Sequence, residues 1–328
     1  MTEKQMFKSL ITRKDPYDRL DYQLRGITKP EKIVLPKNFS LEEKFEPNHQ
    51  GSRGSCSAQG QAHHKERQEN KEVSARYIMI HSKILENNKK EWGYNRLGFK
   101  AVNKFGVCDQ DLLPEPNIDM SWLEYINKDV ITYQMDKNAL KHKSKSYWRV
   151  DIRPGYTRGW EEIKQAIYKN KNSVCISMPW YKSYMQTDSQ GVLPRPINPV
   201  GGHLVDCCGW KDDMLLVKNS WGINYGINGF FYTVPDIHKI WDAWTSLDIP
   251  EDLPVDFRYN EKRTWTKYLL EKKFAFNAWL IKRIGRLPNN REIKALTYGF
   301  WDMESVFFGK VGDRWLYMTK PAYELDKK

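Results

Sequence analysis

The stretch Gln50-Gly51-Ser52-Arg53-Gly54-Ser55-Cys56-Ser57-Ala58 places the tightest local condition on how this chain can fold. A glycine- and serine-rich turn has to close and then open directly into a segment, running to Lys71, in which only Gly60 opposes a helix. A cysteine at such a helix start meets unpaired backbone N–H groups and the positive end of the helix dipole. Both favour the thiolate over the thiol. Gln50, six residues earlier, is returned by the turn so that its amide is placed to donate to a developing oxyanion.

Two later stretches supply partners for that thiol. Gly201-Gly202-His203-Leu204-Val205 lies at the edge of an apolar run, and Val217-Lys218-Asn219-Ser220-Trp221-Gly222 sets an asparagine sixteen residues after the histidine. With cysteine, histidine and asparagine in this order, the chain resembles the papain-like cysteine peptidases, the papain and cathepsin family. The glutamine-to-cysteine spacing, the Gly-Gly-His and the Lys-Asn-Ser-Trp-Gly run, followed by Tyr225-Gly226-Ile227-Asn228-Gly229-Phe230, carry the resemblance. The last run is the most specific. The family's usual Cys-Gly-Ser-Cys-Trp reads Arg53-Gly54-Ser55-Cys56-Ser57 here, so Arg53 stands where secreted members carry a half-cystine and Ser57 replaces an aromatic residue.

The resemblance implies an α+β fold: a helical subdomain facing an antiparallel, barrel-like sheet subdomain, with the active site in the cleft between them. Cys56 would come from the helical side, His203 and Asn219 from the sheet side. It implies a cysteine endopeptidase acting on a protein or peptide, with Cys56 as nucleophile, His203 as acid and base, and Asn219 orienting the imidazole. Trp221 would shield that contact, and Gln50 with the Cys56 N–H would form the oxyanion hole. Gly93 and Gly202 would let substrate backbone approach, although Gly93, thirteen residues before Gly106, reads equally as a turn glycine. Two other readings remain open: a catalytically weak or inactive papain-fold binding or structural protein, with a phage particle as one setting, or a transpeptidase that passes the acyl-thioester to an amine.

No stretch approaches the roughly 20 apolar residues of a membrane span, and the N-terminus lacks the apolar core of a signal peptide. A cytoplasmic protein is the expectation, with a phage virion as the alternative location and a bacterial or phage source. Five cysteines without regular spacing fit a reducing compartment. They give no C-x-x-C pair, so neither metal nor other cofactor is expected. The net charge of +12 is spread among acidic residues in nearly every window, which argues against a nucleic-acid partner. His63-His64 face different directions on a helix and read as solvated or hydrogen-bonded.

Three segments follow. Residues 1–34 are polar, broken by Asp15-Pro16 and Lys29-Pro30, and read as an extended arm over the surface, too short for the family's helical propeptide. Any restraint on activity would then have to come from elsewhere. Residues 35–250 form the catalytic domain, with helices from Cys56, over Val73–Ile80 and over Trp160–Asn170. Strands are expected over Val174–Met178, Leu204–Gly209, Met214–Lys218 and Gly229–Val234. Residues 251–328 are an aromatic-rich, mainly helical extension: one helix over Tyr259–Ile284, another through Ile293, Leu296, Phe300, Met303 and Phe307, then a strand at Arg314–Met318. This extension offers core or a surface for a protein partner.

Overall fold

The computed structural model describes residues 7–16, 34–116, 120–150, 158–248, 306–311 and 314–319. Two compact units divide the chain, Met1–Pro250 and Glu251–Lys328.

In the first unit the chain runs β1 (Thr12–Arg13), β2 (Asn38–Ser40), α1 (Cys56–Glu69), α2 (Ala75–Glu86), β3 (Gly93–Tyr94), α3 (Asn95–Phe105), α4 (Trp122–Tyr125) and α5 (Tyr133–Ala139). The sheet half follows with β4 (Ser146–Arg149), α6 (Arg158–Asn170), β5 (Val174–Tyr181), β6 (Pro199–Lys211), β7 (Met214–Lys218), β8 (Phe230–Thr233) and β9 (Asp242–Leu247). The fold is α+β, helices in the first half and an antiparallel sheet in the second.

Local chemistry sets several of these boundaries. Ser74 caps α2 by accepting from the Tyr77 N–H, and Asn87 closes that helix at a φ of 53°. On α6, Trp160, Ile163, Ala166 and Ile167 form one buried stripe, the face that the periodicity picks out. Residues 174–180 of β5 are buried without interruption, because the strand lies inside the sheet with both faces covered.

The seven-stranded sheet has the order β4-β9-β5-β6-β7-β8, with β2 paired to the far end of β6. Apolar side chains gather in two main clusters. One contains Ile163, Ile176, Met178, Trp180, Val205, Val217 and Phe231 of the sheet side; the other contains Ala62, Tyr77, Ile78, Ile80 and Val102 of the helical side. A third, small cluster of Cys56, Phe99, Cys175, Leu204 and Trp244 joins the two halves. The candidate nucleophile therefore sits at the seam.

The second unit contains a hairpin, β10 (Val306–Val311) antiparallel to β11 (Arg314–Thr319). The strand expected at Arg314–Met318 is present. Phe307, expected at the end of a second helix, lies in β10 instead, and the rest of that expected helix, through Met303, lies outside the described residues. The helix expected over Tyr259–Ile284 lies outside the described residues.

The N-terminal arm departs most from expectation. Its described residues, 7–16, do not lie over the surface: Ser9, Leu10, Thr12 and Asp15 are all buried. β1 pairs in parallel with β3, Thr12 opposite Gly93 and Arg13 opposite Tyr94. Ile11 bridges Gly202 of β6, whose N–H donates to the Leu10 carbonyl at 3.2 Å. This part of the arm is thus held between the helical and sheet halves.

Candidate active site

Cys56 is the first residue of α1, and no side chain caps the helix above it. The residue is 1% exposed, and its Sγ shares a 2.8 Å hydrogen bond with Thr12 Oγ1 of the arm. Burial pushes the thiol pKa up, against the pull of Thr12 and of the Leu204 and Ser57 N–H groups. With the arm in place, the sulfur is a thiol.

His203 stands on β6, fully buried, and its Nε2–H donates to Asn219 Oδ1 at 2.7 Å. That bond fixes the tautomer and leaves the Nδ1 lone pair without a hydrogen-bond partner. Trp221 stacks on the imidazole with centroids 4.9 Å apart, and Trp180 meets it edge-on at 4.8 Å. Burial among these rings lowers the His203 pKa to about 4, opposed by the Asn219 bond. The imidazole is therefore neutral, as the thiol is. Asn219 Oδ1 also accepts from the Ser220 N–H at 2.8 Å, and the Asn219 N–H reaches Gly229 O at 2.9 Å, so the orienting side chain is itself fixed.

Gln50 ties the two halves together. Its N–H donates to Ser220 O at 3.0 Å, and the Ser220 hydroxyl donates to its Oε1. The amide nitrogen of the side chain donates to Arg53 O at 2.9 Å and to Ser9 O of the arm at 3.4 Å. A carbonyl of the arm thus takes up a hydrogen-bond donor of the Gln50 side chain.

The two candidate substrate glycines both lie against the arm. A Cβ on Gly202 would run into the Thr12 carbonyl and the Trp241 ring; one on Gly93 would run into the Ser57 hydroxyl. Ser57, where the family usually has an aromatic residue, thus packs under the strand that pairs with the arm. Arg53, 3% exposed, pairs with Glu115 at 3.3 Å and lies over the Tyr125 ring. A charged contact braces the turn there.

The polar character of α1 has a physical basis in its partners. The helix is buried from Cys56 to Glu66, and many of its polar groups find partners, although Gln59 Oε1, Gln61 Oε1, His63 Nδ1 and Glu66 Oε2 do not. Gln61 donates to Asn95 O at 2.6 Å, and Lys65 pairs with Glu69 at 2.6 Å and with Asp248. Arg67 pairs with both Asp206 and Glu43. His63 accepts from the Asn48 N–H at 3.1 Å; His64 contacts the Ser173 and Ser246 hydroxyls at 3.0 and 2.9 Å. Both histidines are hydrogen-bonded rather than solvated, and burial lowers the pKa of each, His64 to about 3. His64, Cys175 and Asp206 bring one potential ligand atom each within 4.8 Å of the others. Their existing bonds oppose a cation there, since Asp206 already holds the Arg67 guanidinium and both His64 nitrogens face hydroxyls.

Sequence reasoning missed Ser9, Thr12, Trp180 and Ser220, each of which touches a predicted site residue. Ser220 lies within the Lys-Asn-Ser-Trp-Gly run, without a role assigned to it there; the other three belong to no local pattern that would have flagged them.

The sequence profile described as papain family cysteine protease matches residues 36–243. The chain belongs to that family. An uncharacterized peptidase C1-like protein of Acanthamoeba polyphaga mimivirus is 27% identical over 249 residues, covering 69% of this chain and 78% of the viral protein. Among solved structures, the fold is similar to xylellain, a cysteine protease from Xylella fastidiosa. There the TM-score is 0.61 at 23% identity, over 74% of this chain and 96% of that one. Procathepsin B S9 from Trypanosoma congolense gives a TM-score of 0.54 at 14% identity, over 75% and 88% of the two chains. Among the described residues no helix is long and apolar enough to cross a membrane.

Proposed function

We propose that the protein is a cysteine endopeptidase whose cleft is occupied by its own N-terminal arm in the resting form. The observation that carries this reading is the His203–Asn219 pair. A buried imidazole is held by a 2.7 Å bond and a stacked indole in the tautomer that frees Nδ1, within a domain whose helix begins at Cys56.

With the arm displaced, water and substrate reach both groups, and the desolvation that keeps them neutral is relieved. Nδ1 takes the thiol proton, and the helix N-terminus together with the imidazolium stabilises the thiolate. Cys56 Sγ attacks the peptide carbonyl; the C–N bond breaks as His203 gives its proton to the leaving amine. His203 then takes a proton from water, whose oxygen displaces the sulfur and releases the acid. Gln50 and the Cys56 N–H face the oxyanion in both steps, a role in which one donor is worth about 10² to 10³ in rate. Asn219 and Trp221 are positioning residues for the imidazole.

An epoxide inhibitor selective for papain-like thiolates tests this on purified wild type, Cys56→Ala and His203→Ala, with a peptide library for turnover. Labelling at Cys56 that is lost in Cys56→Ala and slowed in His203→Ala, with cleavage of internal peptide bonds, is the expected result. Labelling of an arm-displaced chain no faster than that of an ordinary thiol would refute it.

A further inference from the structure

Asp15, two residues past the end of β1, is the one acidic residue among the arm's described residues and is 3% exposed. Its main-chain N–H donates to Asp242 Oδ2 at 3.0 Å, and its own Oδ2 accepts from the Arg96 N–H at 3.0 Å, in the first turn of α3. Asp15 Oδ1 is buried without a hydrogen-bond partner. Asp242, on β9 of the sheet half, is fully buried and accepts from Asn95 Nδ2 at 3.3 Å through its other oxygen. With the arm seated, two carboxyl groups are therefore buried in one pocket.

The groups facing this pair come from every wall of the pocket. α3 contributes Asn95 and Arg96, β9 contributes Trp244 beside Asp242, β5 contributes the Ser177 hydroxyl, and β4 contributes Arg149. The charge of Arg96 favours ionisation of Asp15 and that of Arg149 ionisation of Asp242, but burial of both groups, and for Asp15 also the charge of Asp242, outweigh them. Two carboxyl groups so placed hold a proton between them more readily than they hold two negative charges.

We propose that docking of the arm is proton-linked: the Asp15–Asp242 pair admits the arm while it holds a proton and weakens the arm's seat as that proton is lost. The cleft would then open as the solution goes from acid toward mildly alkaline. The proposal needs the arm to occupy the cleft but does not need the protein to cleave peptides.

The direction follows from linkage. In the docked arm the Asp15 pKa is raised from 3.8 to about 8, by burial first and by Asp242 second. A free arm has an ordinary carboxylate. Docking is fully supported below the free value, weakens by up to about tenfold per pH unit above it, and stops weakening past the docked value. The window thus runs from about pH 4 to about pH 8.

Amide hydrogen exchange of residues 7–16 in the full chain, read by mass spectrometry from pH 5 to pH 9, tests the proposal in wild type, Asp15→Asn and Asp242→Asn. Comparison at matched pH cancels the intrinsic pH dependence of exchange. Asparagine at position 15 keeps the shape and the Arg96 contact but does not titrate, so the wild-type to Asp15→Asn ratio is expected to climb several-fold per pH unit and level off near pH 8. Asp242→Asn removes the repelling charge and should bring the levelling to lower pH. A ratio that stays flat across this range, or an Asp242→Asn profile identical to wild type, overturns the linkage. Alkylation of Cys56 in the same samples separates the two readings: slow alkylation once the arm exchanges freely would count against the peptidase and leave the linkage standing.

Discussion

Truncating Leu10 to alanine isolates the energetic contribution of the arm's apolar anchor. Leu10 is 1% exposed and belongs to the sheet-side apolar cluster, while its backbone carbonyl accepts from the Gly202 N–H. Leu10→Ala removes the side chain and leaves that bond in place. A buried leucine truncated to alanine costs about 2 to 5 kcal/mol, with the lower end applying where neighbours can relax. The arm docks on a folded unit that keeps its own core, so this cost falls on the docking equilibrium. Two kcal/mol corresponds to roughly a 30-fold larger undocked fraction. While the arm is mostly seated, alkylation of Cys56 is proportional to that fraction, because Thr12 shields Sγ in the docked form. Labelling with a small neutral alkylator at fixed pH should therefore quicken by about 30-fold or more. A rate within twofold of the parent, in a variant whose melting curve shows an intact fold, would mean that the arm does not gate Cys56.

Two further outcomes follow from the geometry. Gln50→Ala should lower kcat by about 10² to 10³ with little change in KM once the arm is displaced, because the amide acts on charge that develops in the transition state; steady-state kinetics with a peptide substrate checks it. Arg67→Met leaves the fully buried Asp206 without its guanidinium. Breaking such a pair costs about 3 to 5 kcal/mol, which lowers Tm by roughly 6 to 20 °C for a unit of this size. Calorimetry checks it, and the double variant Arg67→Met with Asp206→Leu should recover most of the loss.

What the sequence made legible was what short segments decide by themselves. The turn from Gln50 to Cys56 and the helix after it follow from local chemistry, and so do the strand at Met214–Lys218 and the stripe on α6. Even in the second unit, Arg314–Thr319 reads as a strand from its own residues. Phe307 was misread because Phe300, Met303 and Phe307 happen to fall at helical spacing, while Val306-Phe307-Phe308 carries the β-branched and aromatic character that wins in a hairpin.

The arm and the polar helix were illegible for one shared reason: their partners are far away in sequence. Thr12 meets Cys56 across 44 positions, and Asp15 meets Asp242 across 227; His64 meets Ser246 across 182. A helix written as Cys-Ser-Ala-Gln-Gly-Gln-Ala-His-His-Lys looks solvent-facing until serines, Asn95, Asp206 and Asp248 arrive from distant segments to pair with it. The same matching makes the arm selective. The arm meets Gly93, Gly202, Gln50 and the Cys56 thiol through backbone and short polar contacts, and it meets an acidic wall at Asp242. An arm that presents a carboxyl group to that wall holds the cleft only on the proton's terms, and a ligand that brings a positive charge to the same wall would compete with it most strongly where the arm is weakest.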